Sequence, residues 1–178
     1  MRPLTILAND PSLTGWGWVV MRDGKVVNAD CIKTTPDAKK KRIRKSDDRI
    51  RRIQEITTKL IELYDGYGIN YIVAEAPHGS QSATAAVMVG IVIGVLQTFA
   101  DCFDIPIEWY SEDDAKKCVI GKKTVSKHEM VEAIDKLYSV PWMHIQYKDE
   151  AIADALAIYH TACKFSNTLK SHNVSHKR

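Results

Sequence analysis

Apolar positions along the chain follow two rhythms. In the first third they come as short runs broken by turn formers. Residues 4–8 read Leu-Thr-Ile-Leu-Ala and stop at Asn9-Asp10-Pro11-Ser12. Residues 15–21 and 26–32 follow, joined by Arg22-Asp23-Gly24-Lys25 with Asp-Gly at the centre of a hairpin turn. Three strands on tight turns predict an antiparallel meander. The rhythm then lengthens: Ile50, Ile53, Ile56, Leu60 and Leu63 recur at helical spacing. That predicts a helix over 46–65, with Ser46 or Asp47 as N-cap and Gly66 and Gly68 at its end. Residues 71–75 read as a buried strand, 80–101 as a helix without charge up to Ala100 and 105–109 as another short strand. A helical turn over 113–119, an amphipathic helix over 125–138 and a last helix over 148–165 complete the pattern. The order βββαβαβ followed by helices predicts an α/β fold. Its mixed five-stranded sheet has three antiparallel strands and then parallel ones, with helices on its flanks.

Composition narrows this little. The chain has 178 residues, 45% hydrophobic and 26% charged, with 25 Lys+Arg against 22 Asp+Glu. That balance fits one globular domain and excludes a low-complexity chain. No linker or repeat divides it, so the domain is expected over 1–165, with a polar, basic tail over 166–178 that frays. Cys31, Cys102, Cys118 and Cys163 are scattered, which predicts buried reduced thiols rather than a zinc site or a disulfide framework. The densest apolar stretch, 83–96, is shorter than the ~20 residues a bilayer needs, so a buried helix and no membrane partner are expected. With no signal-peptide pattern at the N-terminus, the expected location is cytoplasmic.

Charge changes the picture through its placement. The net +3 hides a tract, 39–52, in which nine of fourteen residues are Lys or Arg. Lys39, Lys40, Lys41 and Arg42 in it are candidates for tracking a DNA backbone. Three acids stand out against this: Asp10 at the end of the first strand, Glu75 at the end of the fourth, and Asp154 inside the apolar run Ala151–Ile158. A buried, unpaired carboxylate costs several kcal/mol. If the first and fourth strands are neighbours, Asp10 and Glu75 converge and Asp154 faces them. Two charges ~4 Å apart repel by ~4 kcal/mol at an effective dielectric of 20, so such a group asks for a cation. Mg²⁺, which takes oxygen ligands and keeps places for water and phosphate, is the fitting ion. Two such ions can drive phosphodiester cleavage.

The segments Ile6-Leu7-Ala8-Asn9-Asp10-Pro11-Ser12-x-x-Gly15-x-Gly17, Val73-Ala74-Glu75 and Ala153-Asp154-Ala155-Leu156-Ala157-Ile158 resemble, in order, the three acidic motifs of the RuvC family. These are Holliday-junction resolvases with an RNase H-like fold, and the likeness runs from about Leu4 to His160. The resemblance implies hydrolytic cutting of branched double-stranded DNA by a symmetric homodimer. Asp10, Glu75 and Asp154 would be the metal ligands, for two Mg²⁺ ions per site or Mn²⁺ in their place. Lys116 and Lys127 match family lysines near the cut phosphate, and Lys117, Lys122 and Lys123 extend that basic turn. The helix carrying Gly90-x-x-x-Gly94 matches the family's dimer interface. A nucleoid-associated place in the cytoplasm, or in the host's cytoplasm for a viral member, follows from the same likeness.

Two positions depart from the family. Where a fourth acid or His usually precedes the last Asp by three residues, this chain has Ala151. Glu150, four residues before Asp154 and on the same helix face, is the expected fourth ligand. Asp149, ~140° around the helix, is its rival and reads as a helix-start carboxylate. Three residues after Glu75 the family's bacterial members carry an aromatic that stacks on junction bases; here it is His78, which can stack or carry charge near phosphate. Two alternatives share much of this pattern: a nuclease for RNA–DNA hybrids, and a branched-DNA binder that does not cut. An ATP-binding domain of the sugar-kinase or actin type would need a second phosphate-binding turn and a much longer chain.

Overall fold

The computed structural model describes residues 3–37, 43–77 and 82–175, so His78 and the basic residues Lys39, Lys40, Lys41 and Arg42 lie outside the described residues. The strands are β1 (Thr5–Asp10), β2 (Gly15–Arg22), β3 (Lys25–Lys33), β4 (Tyr71–Ala76) and β5 (Ile107–Ser111). The helices are α1 (Lys45–Tyr67), α2 (Ala83–Cys102), α3 (Glu112–Ile120), α4 (Lys127–Leu137), α5 (Gln146–Phe165) and α6 (Asn167–Ser175). The sheet order is β3-β2-β1-β4-β5. β1 pairs antiparallel with β2 and parallel with β4, and β4 pairs parallel with β5, giving the mixed five-stranded sheet expected from the pattern.

Alternation along the strands divides the core in two. Ile6, Ala8, Val19, Met21, Tyr71 and Val73 face α5, with parts of α3, α4 and α6 around it. Leu7, Val20, Ile72 and Ala74 face α1 and α2 across the sheet. Asp10 and Glu75 continue the first series, so period two alone sends both acids to the α5 side.

Several boundaries differ from the expected ones for local reasons. β5 starts at Ile107 and runs to Ser111. Pro106 has no N–H to give a ladder, and it takes part only through its carbonyl, which accepts from the Ile72 N–H at 2.9 Å. α1 is capped by Arg44 rather than Ser46 or Asp47, whose neighbour Asp48 returns its N–H to the Arg44 carbonyl. Asp47 and Asp48 instead sit in the first turn, where they complement the helix dipole. Of the tail expected to fray, Asn167–Ser175 is helical as α6. Leu169 is buried there, and the Ser166 hydroxyl accepts from the Leu169 N–H and donates to Glu108 at 2.9 Å. Of the four thiols, all free, only Cys31 is buried, and Cys102 is exposed.

The uncharged helix also departs from expectation. α2 is 20 residues long and, by length and composition, could cross a membrane, yet only 22% of its most apolar window is buried. Val92, Leu96, Phe99 and Ala100 pack into the core, while Val87 is 49% exposed. The helix is a core element along one stripe and half-buried or exposed along the rest among the described residues.

Candidate active site

β1, β4 and β5 run parallel, so their C-terminal ends open on one edge of the sheet. Asn9 pairs with Ala74 in register, which sets Asp10 beside Glu75. The end of β1 is held firmly. The fully buried Asn9 side chain donates to the Leu7 carbonyl at 3.1 Å and accepts from the Trp16 indole N–H at 3.0 Å. Asp10 lies opposite Gly17 of β2. A Cβ at Gly17 would fall 2.3 Å from the Ala151 carbonyl oxygen, so glycine lets α5 come down onto the sheet here. One turn further along α5 is Asp154, whose side chain is 13% exposed. The three acids that the sequence singled out therefore share one face at one edge.

The electrostatics are those of crowded acids. Burial pushes the Asp10 carboxyl well above the ordinary carboxylate range, and the charges of Asp154 and Glu75 push it further. Lys127 opposes the rise, and Glu112 adds to it. No hydrogen bond reaches the Asp10 carboxylate among the described residues. Asp154 is also raised by burial, against the pull of Lys127, which ion-pairs with it from the first residue of α4. Burial alone would lower Lys127, but Asp154, Asp10 and Glu75 together raise it. As placed, no three His, Cys, Asp or Glu side chains among the described residues grip a common point, and the ammonium of Lys127 stands among the acids. The donor set still fits a hard divalent cation. Among the described residues it offers only oxygen ligands, one of them a buried carboxylate with like charges around it and no hydrogen-bond donor.

The remaining expected site residues are spread around this edge. Lys116 pairs with Glu112 at 2.5 Å one turn before it on α3, and its charge also acts on Asp154. Lys122 pairs with Glu129 at 3.0 Å and Lys123 with Asp113 at 2.5 Å, while Lys117 is exposed in the last turn of α3. Asp149 and Glu150 are turned to other partners. Asp149 accepts the Met143 N–H at 2.9 Å, and Glu150 accepts from the Gln146 amide at 2.9 Å. Neither is among the leading charges on Asp10 or Asp154.

Glu112, which sequence reasoning passed over, does act on both. The strand expected over 105–109 stopped short of it; with β5 running to Ser111, Glu112 follows Glu108 and Tyr110 off the strand's end. Part of the basic tract, in turn, is structural. Arg52 is buried and donates to the Thr34 hydroxyl at 2.7 Å and to Leu13 and Thr14 at 3.0 Å, fixing the turn after Asp10.

Comparison with known proteins agrees with this geometry. The family described as "Crossover junction endodeoxyribonuclease RuvC" matches residues 6–161. The RuvC protein of Chlamydia abortus is 28% identical over 120 residues, covering 67% of this chain and 73% of its own. That of Shewanella frigidimarina is 26% identical over 161 residues, covering 88% and 87%. Among solved structures, Thermus thermophilus RuvC in complex with a Holliday junction substrate superposes with a TM-score of 0.70 at 18% identity, over 93% of this chain and 96% of that one. The yeast mitochondrial Holliday junction resolvase gives 0.62 at 15% identity, over 97% and 82%. These structural likenesses place the sheet and its helices in the RNase H-like fold. A family match spanning all three acids, on a fold that gathers them at one edge, establishes that the chain belongs to the RuvC family of crossover junction endodeoxyribonucleases.

Proposed function

We propose that this chain is a divalent-metal-dependent endonuclease that resolves four-way DNA junctions and other branched DNA by paired hydrolytic nicks, as a symmetric homodimer. The observation that carries the reading is the meeting of Asp10, Glu75 and Asp154 on the α5 face of the sheet edge, with Asp10 buried among like charges. A purely binding protein gains nothing from buried negative charge beside phosphate. Asp10, Glu75 and Asp154 would hold Mg²⁺, or Mn²⁺, as two ions per site. A cation so held supplies a more acidic water and stabilises the leaving oxygen. The protein's own share is to fix these acids on rigid strands and a packed helix, and to bring Lys127 and Lys116 to the same edge. There their ammonium groups neutralise charge growing on the cut phosphate.

The lysine turn, with Lys117, Lys122 and Lys123, lies beside this edge, and the DNA backbone would draw those side chains from Glu129 and Asp113. Lys39, Lys40, Lys41 and Arg42 would extend the phosphate contacts, and His78, three residues past Glu75, would stack at the junction centre. The bare apolar side of α2 supports the homodimer, since a second copy would cover it and set two sites across the junction. The compartment that holds such DNA is the cytoplasm, and a nucleoid association follows from the substrate.

The test compares a synthetic four-way DNA junction with an RNA–DNA hybrid duplex of the same length in Mg²⁺. Cutting of the junction at least tenfold faster supports the reading. Preferential cutting of the hybrid would move the chain to the ribonuclease branch of the fold.

A further inference from the structure

We infer that Glu112 is the fourth carboxylate of the metal site, taking the part that Glu150 or Asp149 was expected to play; this rests on the metal-dependent reading above. The topology delivers it. Glu75 of β4 lies in register with Tyr110 of β5, so the chain leaves β5 beside Glu75 and Glu112 follows at once as the first residue of α3. Tyr110 faces the α5 side of the sheet, and Glu112 comes next in that two-residue series. α3 packs directly against α5, which brings Glu112 to the flank of the site opposite β2. Its charge bears on Asp10 and Asp154 alike.

The other flank brings no acid to Asp10 at the position three residues before Asp154, which is Ala151. At Ala151 the α5 backbone sits on Gly17, with the Ala151 Cβ only 2.8 Å from where a Gly17 Cβ would be. Glu150 and Asp149 hold contacts with Gln146 and the Met143 N–H, and neither is among the charges that act most on Asp10. Asp10 itself is a buried carboxylate without a hydrogen bond among the described residues, so the group it belongs to is suited to a cation rather than to a protein donor. In this structure Glu112 is engaged by Lys116 at 2.5 Å. The pair is built to exchange: when Glu112 turns to a cation, the Lys116 ammonium is released at the edge where the phosphate must lie.

Isothermal titration of Mn²⁺ into the metal-free full-length protein, without DNA, tests this. E112Q is expected to weaken Mn²⁺ binding about tenfold, a larger loss than D149N or E150Q produces. E112D, which keeps the charge on a shorter stem, should fall between E112Q and wild type and serves as the readout if E112Q melts early by circular dichroism. If Glu112 served only to hold Lys116, K116M would copy E112Q. Under the inference K116M leaves Mn²⁺ affinity unchanged or tightens it, because a positive charge leaves the site. Unchanged affinity in E112Q and E112D beside a clear loss in D10N would overturn the assignment of Glu112, as would a larger loss in E150Q or D149N. Unchanged affinity in D10N as well would overturn the metal reading beneath it.

Discussion

α2 and α5 are both 20 residues long, and both carry long apolar runs, yet the fold uses them in opposite ways. α5 buries ten of its residues and carries Asp154 into the packed face of the sheet. α2 is the more apolar helix, yet it buries only four. Hydrophobicity alone therefore does not say which helix is central. α5 sits over the middle strands and meets every strand of the sheet. α2 lies on the opposite face and spends its apolar surface outward. Under the proposed function the contrast separates two jobs: α5 would complete a site inside one subunit, and α2 would offer the surface that places a second subunit's site at a fixed distance.

The sharpest break in that contrast is D154N. A site residue on α5 should be indispensable, so junction cleavage is expected to fall about a thousandfold, while junction binding in a gel-shift assay stays near wild type. Retained cleavage would reduce α5 to scaffolding. Next comes G94L on α2. A Cβ at Gly94 meets nothing within 4 Å among the described residues, so the variant should fold with full helix content. A leucine there would block close approach of another helix, and light scattering at micromolar concentration should find monomer for G94L and the proposed dimer for wild type. A G94L dimer as tight as wild type would place the interface elsewhere.

A smaller effect sharpens the α5 side. Asp10's carboxyl is raised, so the fold prefers it protonated, and stability is lost as pH rises through its raised value. At neutral pH in chelator, D10N should therefore melt above wild type, by about 2–4 °C for each kcal/mol of relieved repulsion. That gap should close as pH falls below the ordinary aspartate value of about 3.9. A D10N protein that melts below wild type would contradict the crowding of acids at this edge. The smallest effect concerns α4, which carries Lys127. The Ser126–Glu129 capping box and Lys122 hold the Glu129 carboxyl down to about 2. Its stabilising share is present above about 4.5 and lost as pH falls toward 2. Between those limits the melting temperature of E129Q should show a shallower slope with pH than wild type.

The central residues were legible because two periodicities settle them independently. Alternation along β1 and β4 fixes the face of Asp10 and Glu75, and the apolar run around Asp154 fixes its burial. Glu112 was not legible. In sequence it opens the run Glu112-Asp113-Asp114, which reads as acids complementing a helix dipole, and only the pairing of β5 with β4 puts it at the site. Arg52 misled in the opposite sense. It looks like one more charge in a basic tract, but at helical spacing it falls on the inner face of α1 and ties the turn after Asp10. The tail, expected to fray on its polar composition, is helical over Asn167–Ser175 because one apolar residue, Leu169, is buried against the core.

The most direct measurement is cleavage of a strand-labelled synthetic four-way junction across a Mg²⁺ titration, with wild type and D10N side by side. The expected result is symmetric paired nicks that need Mg²⁺ in wild type and vanish in D10N. Nicking that persists in D10N, or that proceeds in chelator, would contradict a metal-dependent site built on Asp10, Glu75 and Asp154.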